Sequence, residues 1–332
     1  MNREEAKNKI LKRLYEIAMK DGIRTTMLKS GFYNLEPIAK EEGIDGELLK
    51  GVFEELCKDG YLDYLFTWMA VRPSPKALTY CEQNGLIDER FVKRQEEVRI
   101  KILEALFDLE EEEPRANSIF RIWESQIREK ADIDELESDN NIYFLYTLGL
   151  VNGNPFWNEW TPTPDGKKKV REYQRMRRFN ELKKSLNPQE RGHKFEDLLE
   201  EVLKEEGCET WKRRRHEGAE IDIQFKYNFH FFLVSCKWQK KKVGGETVGA
   251  LIERGDKLDC EAYILISMSG FTRESIKSKR SSKLIFFGPG DIEKVFHVEI
   301  FQSRKLFTEL LDEKIKERRV SGKVLVDDQA YS

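Results

Sequence analysis

The first half of the chain repeats at a constant offset, and this repeat constrains the fold more than any other feature of the sequence. Residues 11–75 match the residues 89 positions later without a gap, at apolar, glycine and proline positions alike. The matched pairs include Leu14 with Leu103, Ile44 with Ile133, Gly60 with Gly149, Trp68 with Trp157 and Pro73 with Pro162. A repeat of this length indicates two copies of one supersecondary unit rather than one large domain.

Each copy is predicted to contain three helices, a β-hairpin and a fourth helix. In the first copy, Asp45 is suited to begin the third helix and Gly60 to end it, and Pro75 begins the fourth. Alternating residues between Gly60 and Pro75 indicate the hairpin. This is the layout of a winged helix-turn-helix domain. We therefore predict two tandem winged helix-turn-helix domains, at residues 1–90 and 91–176.

The third helix of each copy is acidic, which leaves the role of the copies open. It begins with Asp45 and Glu47 in the first copy and with Asp134 and Glu135 in the second. A recognition helix normally offers Arg, Lys, Asn or Gln to base edges, and acidic residues there repel phosphate. The copies therefore either position nucleic acid or act as protein-interaction or dimerisation modules.

Residues suited to phosphodiester hydrolysis follow in the second half. Glu196 lies on a predicted helix, Asp222 in a predicted strand, and Ser235 and Lys237 in the next strand. Carboxylates can hold a divalent cation that lowers the pKa of the attacking water, and a lysine can orient the resulting hydroxide. Residues two apart on a strand share a face, so Ser235 and Lys237 point the same way. Asp222 is expected across a hairpin from them, with the turn near Asn228.

Five short motifs in this half occur in an order that resembles a known family. They are Gly192-x-x-Phe195-Glu196, Gly218-x-x-Ile221-Asp222, Val234-Ser235-Cys236-Lys237-Trp238, Lys242-Val243-Gly244 and Ser269-Gly270-Phe271-Thr272. Together they are similar to the Mrr-like branch of the PD-(D/E)xK restriction-endonuclease superfamily over roughly residues 190–297. The resemblance implies an α/β restriction-endonuclease-like domain, placed at 191–332 after a basic helical linker at 177–190. The fold class of the whole chain is then α+β multidomain.

The resemblance also implies an activity. A protein of this kind is a metal-dependent DNA endonuclease that hydrolyses phosphodiester bonds with Mg²⁺ or Mn²⁺. In that case Asp222 binds the metal, Lys237 orients the nucleophile, and Glu196 tunes the metal or a second site.

Ser235 departs from this family, which usually has Glu at that position, and in the Mrr branch often Gln. A hydroxyl is a poorer ligand for a hard divalent ion than a carboxylate. In one interpretation another carboxylate takes its place, with Glu246, Glu253 and Glu220 as the candidates; Glu220 shares a strand face with Asp222. In the other, cleavage has been lost, and the chain is a catalytically inactive nuclease-fold protein for DNA binding or assembly in defence or repair.

Basic residues cluster around this site although the net charge of the whole chain is −3. Eleven Lys or Arg residues stand against four Asp or Glu residues between 165 and 194. Because the basic runs flank the predicted hairpin, we favour contact with a phosphate backbone over a merely solvated surface. The residues predicted to bind nucleic acid are Arg175, Arg177, Arg178, Lys194, Arg213, Arg214, Arg215, Lys240, Lys241 and Lys242. DNA is the expected partner, RNA is an alternative, and a homodimer is a further prediction.

Composition favours a cytoplasmic protein. The chain is 39% hydrophobic and 36% charged, and no apolar run approaches the ~20 residues of a membrane span. The N-terminus lacks the pattern of a secretory signal. Five cysteines without a C-x-x-C pair exclude a ribbon-type zinc site and indicate reduced thiols. Cys236, between Ser235 and Lys237, is expected to be buried on the opposite strand face.

Overall fold

The chain divides into two compact units, Met1–Arg171 and Glu172–Ser332. The computed structural model describes residues 1–22, 32–64, 71–112, 122–154, 157–216, 219–258, 260–278, 283–300 and 304–321, without the side chains of 213–216, 219–220, 277–278 and 318–321. None of the helices in these ranges combines the length and the apolar character needed to cross a membrane.

The first unit contains the two predicted copies with the same order of helices and hairpin. The first copy includes α1 (Arg3–Asp21), α2 (Leu35–Glu41), α3 (Gly46–Lys58), β1 (Leu62–Tyr64), β2 (Val71–Pro73) and α4 (Pro75–Gln83). The second includes α5 (Glu89–Glu112), β3 (Ile122–Trp123), α6 (Glu124–Ala131), α7 (Glu135–Thr147), β4 (Val151–Asn154), β5 (Glu159–Pro162) and α8 (Pro164–Lys184). Helix α8 continues into the second unit.

Strand pairing in the two copies follows the offset of the sequence repeat. The corresponding pairs are Leu62 with Pro73 and Val151 with Pro162, and Tyr33 with Val71 and Ile122 with Trp160. Each residue of the second copy lies 89 positions after its counterpart. A slip of one residue would turn every side chain to the other face, so this agreement is specific. It confirms that the repeat is structural.

The junction between the hairpin and the last helix is also built twice in the same way. The Ser74 hydroxyl donates to the Gly60 carbonyl oxygen at 2.7 Å, and the Thr163 hydroxyl donates to that of Gly149 at 2.8 Å. Gly60 and Gly149 have φ of 73° and 70°, a left-handed conformation that favours glycine. The matched glycines of the sequence repeat thus mark a turn that both copies require.

A buried polar network joins the two copies. The Arg99 guanidinium donates to both carboxylate oxygens of Glu82, each at 2.7 Å, and both side chains are fully buried. The Tyr15 hydroxyl donates to the same carboxylate at 2.6 Å, and Arg99 Nε donates to Asn141 Oδ1 at 2.9 Å. Burial, together with the Glu82 charge, raises the pKa of Tyr15 far above its ordinary value, so the hydroxyl stays a donor. A charge pair removed from water therefore connects the first copy to the second.

Helix α7, the counterpart of α3, is buried on its polar side as well. Ser138, Asp139, Asn140 and Asn141 are all buried. The Asn140 amide donates to the Met19 carbonyl oxygen in α1 at 2.9 Å. These side chains therefore serve the packing of the unit, at the position where the predicted winged helix-turn-helix layout has a recognition helix.

The second unit is a mixed α/β structure with a five-stranded sheet. Its elements are α9 (Pro188–Glu205), β6 (Glu209–His216), β7 (Ala219–Tyr227), β8 (His230–Lys237), α10 (Gly245–Lys257), β9 (Ala262–Ser267), α11 (Arg273–Ser278), β10 (Leu284–Phe287), α12 (Pro289–Phe296) and α13 (Phe307–Ser321). The strand order is β10-β9-β8-β7-β6, with β6, β7 and β8 antiparallel and β8, β9 and β10 parallel. One face is covered by α9, α12 and α13, and the other by α10. The predicted α/β core is confirmed. Helices cover both faces of the sheet, and the predicted site residues of β7 and β8 lie just beyond the last backbone pair of these two strands, Ile223 with Val234.

The end of α8 packs into this unit, whereas the sequence placed a linker at 177–190. Phe179 stacks on Phe296 with ring centroids 4.5 Å apart, and Leu182 is also buried. These apolar residues are three apart and face the same side of the helix, so burying them holds the helix against the sheet layer. Phe179 and Leu182 of α8 are therefore part of the core of this unit.

Candidate active site

The β7–β8 hairpin positions the predicted site residues. Its two-residue turn, Asn228-Phe229, has φ of 47° and 67° and lies between the paired residues Tyr227 and His230. Positive φ at both positions is the mark of a type I′ turn, whose twist suits a hairpin. The turn predicted near Asn228 is therefore confirmed.

Asp222 and Ser235 meet through their side chains just beyond the last backbone pair, Ile223 with Val234. Asp222 Oδ2 accepts a hydrogen bond from Ser235 Oγ at 3.1 Å and from the Cys236 backbone N–H at 2.7 Å. The predicted placement of Asp222 across the hairpin is confirmed.

Lys237 completes this group. Its Nζ lies 3.8 Å from Asp222 Oδ2 and its side chain is 34% exposed, whereas that of Asp222 is 18% exposed. All of these contacts converge on Oδ2, and Oδ1 of Asp222 has no partner among the described residues. Within the described side chains the carboxylate is thus held by one oxygen, which leaves the other oxygen for a ligand.

Cys236 points away from this group into the core, as expected from strand alternation. Burial raises the pKa of its thiol well above the ordinary value, and the charges of Asp222 and Glu196 raise it further. All five cysteines lie in the described ranges and are free thiols, four of them buried. Cys236 is accordingly an unreactive packing group.

Glu196 is buried on α9, next to the core residue Phe195. His193 Nδ1 lies 3.6 Å from one of its carboxylate oxygens. The charges of Glu196 on α9 and Asp222 on β7 both raise the pKa of the Cys236 thiol at this end of β8. No direct bond between Glu196 and Asp222 is present in the described contacts.

The candidate replacement carboxylates do not join this group in the described part of the chain. Glu246 is exposed in the first turn of α10. Glu253 is 74% exposed and pairs with Lys257 at 3.6 Å. The side chain of Glu220 lies outside the described residues.

The residues present fit a divalent cation only in part. Hard cations take six or more oxygen ligands, and Asp222 Oδ1 is an open one. Among the described residues, however, no three Asp, Glu, His or Cys side chains are grouped closely enough to hold a metal. A complete protein-derived ligand set is therefore not formed by the described side chains.

One predicted nucleic-acid contact, Arg175, is corrected by the structure. Its side chain is buried and forms an ion pair with Glu205 of α9. Arg178, one turn further along α8, pairs with Glu201 of α9. These ion pairs hold the two helices together. Fewer basic side chains are therefore available to contact phosphate than the count of Lys and Arg residues between 165 and 194 suggests.

The other predicted contacts are distributed over the surface of this unit. Arg177 is exposed, Lys194 is exposed and pairs with Glu190 at 2.6 Å, and Lys240, Lys241 and Lys242 are exposed. Arg213, Arg214 and Arg215 belong to β6, but their side chains lie outside the described residues.

The lysine-rich loop after β8 has a fixed backbone. Ser269 Oγ donates to the Lys241 carbonyl oxygen at 2.8 Å, and the Val243 N–H donates to that of Gly270 at 3.0 Å. Arg191 donates to the Trp238 carbonyl oxygen at 3.2 Å, immediately after Lys237. Neither the anchoring role of Ser269 nor that of Arg191 has a local signal in the sequence, because each bonds to a backbone carbonyl far along the chain.

The hairpin, its flanking helices and the lysine loop form one continuous stretch of the chain. Residues 189–291 match the Mrr_cat family model, described as a restriction endonuclease. The second unit therefore contains a nuclease domain of the restriction-endonuclease kind, and the Asp222–Lys237 group is its candidate active site.

Two further comparisons add little. No curated protein is significantly similar to the chain. A solved structure titled "Crystal Structure of Protein of Unknown Function AF1548" is similar with 16% sequence identity and a TM-score of 0.28, over 37% of this chain and 66% of that chain.

Proposed function

We propose that this protein is a metal-dependent DNA endonuclease of the Mrr-like type that hydrolyses phosphodiester bonds. The observation that carries the proposal is the Asp222 carboxylate, held by one oxygen beside Lys237 within the segment that matches restriction endonucleases. Both side chains reach solvent, that of Asp222 at 18% exposure and that of Lys237 at 34%.

The side chains of the nuclease domain divide the chemistry between them. Ser235 and the Cys236 N–H fix Asp222 so that Oδ1 faces a ligand without reorganisation. The Lys237 ammonium has three donors, with which it orients the attacking water and stabilises charge on the phosphoryl oxygens. A divalent cation, Mg²⁺ or Mn²⁺, when bound, would polarise those oxygens and lower the pKa of its water. Asp222 would hold it, together with Glu196 or Glu220, because Glu246 and Glu253 are exposed and do not join this group in the described part of the chain.

A second candidate function is a nuclease fold that binds DNA without cutting it. The absence of a group of three ligating side chains in the described residues favours it. Ser235 also favours it, because this residue donates a hydrogen bond to Asp222 at a position where restriction endonucleases of the resembled family usually have a second carboxylate.

A cleavage assay separates the two. Purified full-length protein is expected to nick or linearise plasmid DNA with Mg²⁺ or Mn²⁺ and to stop when EDTA removes the metal. Tight DNA binding without metal uptake by calorimetry and without cleavage under either ion would establish the second candidate.

The two copies of the first unit, as winged helix-turn-helix domains, are proposed to position the nucleic acid. Burial of the polar residues of α7 supports different roles for the copies. Helix α7 joins the copies, whereas α3 exposes Glu47 and Glu54 together with Lys50 and Lys58 and is left for a protein partner or for DNA. The homodimer stays a prediction.

The lysine loop predicts how affinity responds to salt. Lys240→Glu and Lys241→Glu are each expected to weaken binding to every DNA sequence alike and to reduce the slope of log affinity against log salt by about one. Fluorescence anisotropy over a salt series measures this. Lys316→Glu, which reverses an exposed lysine of α13, is the control and should leave the slope unchanged. An equal effect of all three substitutions would show that only overall charge matters.

A further inference from the structure

The first unit contains a cavity of about 620 Å³ that the nuclease chemistry does not use. It lies between one face of α1, the start of α5 and the start of α7, so both copies contribute to it. Its volume falls within the usual range of small-ligand sites.

The walls of the cavity are largely apolar. Met19, Ile87, Phe91 and Leu136 contribute side chains to them. Phe91 is 38% exposed and Leu136 is 46% exposed. An aromatic face left open beside a cavity is suited to stacking with a flat ring.

The acidic residues around the cavity are already engaged. Asp88 accepts hydrogen bonds from the Phe91 and Arg90 N–H groups, and Asp134 accepts one from the Glu137 N–H. Two further carboxylates pair with cations: Glu16 with Arg13 at 3.4 Å and Glu137 with Arg94 at 2.7 Å. The charges of Glu16 and Glu137 are therefore balanced by cations, and the carboxylates of Asp88 and Asp134 are held as caps by backbone N–H groups.

Two lysines on the same face of α1 are not engaged in this way. Lys12 and Lys20 border the cavity, are exposed, and have no hydrogen bond or ion pair with any residue that the structure describes. They are eight residues apart, roughly 12 Å along the helix axis. The cavity thus presents an available cation at each end.

A buried amide points to the chemistry of the ligand. Gln95 is 5% exposed and borders the cavity; its Oε1 accepts a hydrogen bond from Asn141 at 2.8 Å. Its Nε2 has no hydrogen-bond partner in the described part of the chain. A purely aliphatic ligand would leave the Gln95 Nε2 donor without a hydrogen bond, which costs binding free energy. A flat ring that carries an acceptor atom would satisfy this donor.

We propose that this cavity binds a nucleotide, either free or as one residue of a single strand. The base stacks on Phe91 and accepts a hydrogen bond from Gln95 Nε2, and phosphate contacts Lys12 or Lys20. A nucleotide within a strand has a phosphate on each side and can contact both Lys12 and Lys20. A free nucleoside monophosphate contacts one of these two lysines. This site is separate from Asp222 and Lys237 and does not rest on cleavage.

Isothermal titration calorimetry of the full-length protein tests the proposal with thymidine monophosphate, thymidine, inorganic phosphate and a four-residue thymidine oligonucleotide. Thymidine monophosphate is expected to bind with saturation, and thymidine about tenfold more weakly because one charge-assisted contact is lost. If the oligonucleotide binds more tightly than thymidine monophosphate, the natural ligand is a single strand. If it binds equally or more weakly, the natural ligand is a free nucleotide.

Variants assign the binding to the cavity. Phe91→Leu and the double substitution Lys12→Ala, Lys20→Ala are each expected to weaken nucleotide binding at least about tenfold. Lys40→Ala, at an exposed lysine of α2 away from the cavity, is the matched control. Thermal unfolding midpoints equal to wild type show that the variants fold. No saturable binding, equally tight binding of inorganic phosphate alone, or binding that these cavity variants leave unchanged would each overturn the proposal.

Discussion

Replacing Asp222 by alanine is expected to lower the rate of Mg²⁺-dependent DNA cleavage at least about a hundredfold, because the substitution removes the preorganised carboxylate of the candidate site. Lys237→Ala should have a comparable effect, since the ammonium 3.8 Å from Asp222 is lost. The initial rate of plasmid nicking measures both. Lys226→Ala is the control for Lys237→Ala, because Lys226 pairs with Glu209 on the neighbouring strand outside the site.

Substitutions of Ser235 in the same nicking assay show whether its hydroxyl only positions Asp222 or takes part in the reaction. Ser235→Ala is expected to be mild, a loss of a few-fold, because the Cys236 N–H still holds Asp222 Oδ2 at 2.7 Å. Ser235→Glu should preserve or raise activity, since an added carboxylate strengthens binding of a hard cation. Ser235→Ala that is as inactive as Asp222→Ala would contradict this and assign the hydroxyl a direct role. Activity that survives both Asp222→Ala and Lys237→Ala would place the active site elsewhere.

Arg99→Ala is expected to destabilise the first unit by about 3–5 kcal/mol, because it leaves the Glu82 carboxylate buried without its cation. Arg99 and Glu82 are both fully buried, and Arg99 also bonds to Asn141 in the second copy. Hydrogen exchange of α1 and α5 amides measures the loss in the full-length chain, where a single denaturation midpoint would mix the two units.

An exposed ion pair supplies the control for that substitution. Arg13→Ala removes a 3.4 Å pair with Glu16 in which both side chains are about two-fifths exposed, and should cost less than about 1 kcal/mol. Replacing Arg99 and Glu82 together by methionine should recover part of the loss, since no charge is then left unpaired in the interior but Tyr15 and Asn141 each lose a hydrogen-bond partner. A loss below about 1 kcal/mol in Arg99→Ala would show that water reaches Glu82.

Local signals in the sequence were sufficient for the repeat and for the hairpin of the candidate site. The repeat was predictable because Gly60 and Gly149 mark a turn with positive φ, which few other residues adopt. The group of Asp222, Ser235 and Lys237 was predictable because strand alternation places residues two apart on one face and a two-residue turn sets the register. Both inferences depend on short-range geometry, which the order of residues carries by itself.

The sequence by itself thus determined the repeat, the hairpin and the identity of its polar residues. Only the tertiary structure decided which partners those residues have. Arg175 was predicted to contact phosphate but pairs with Glu205, because packing of α8 against α9 brings the two side chains together and buries the arginine. Asn140 and Asn141 are buried for the same kind of reason, in the contact between the two copies. Charge and polarity are local properties of a residue, whereas burial and pairing depend on which faces of distant elements meet.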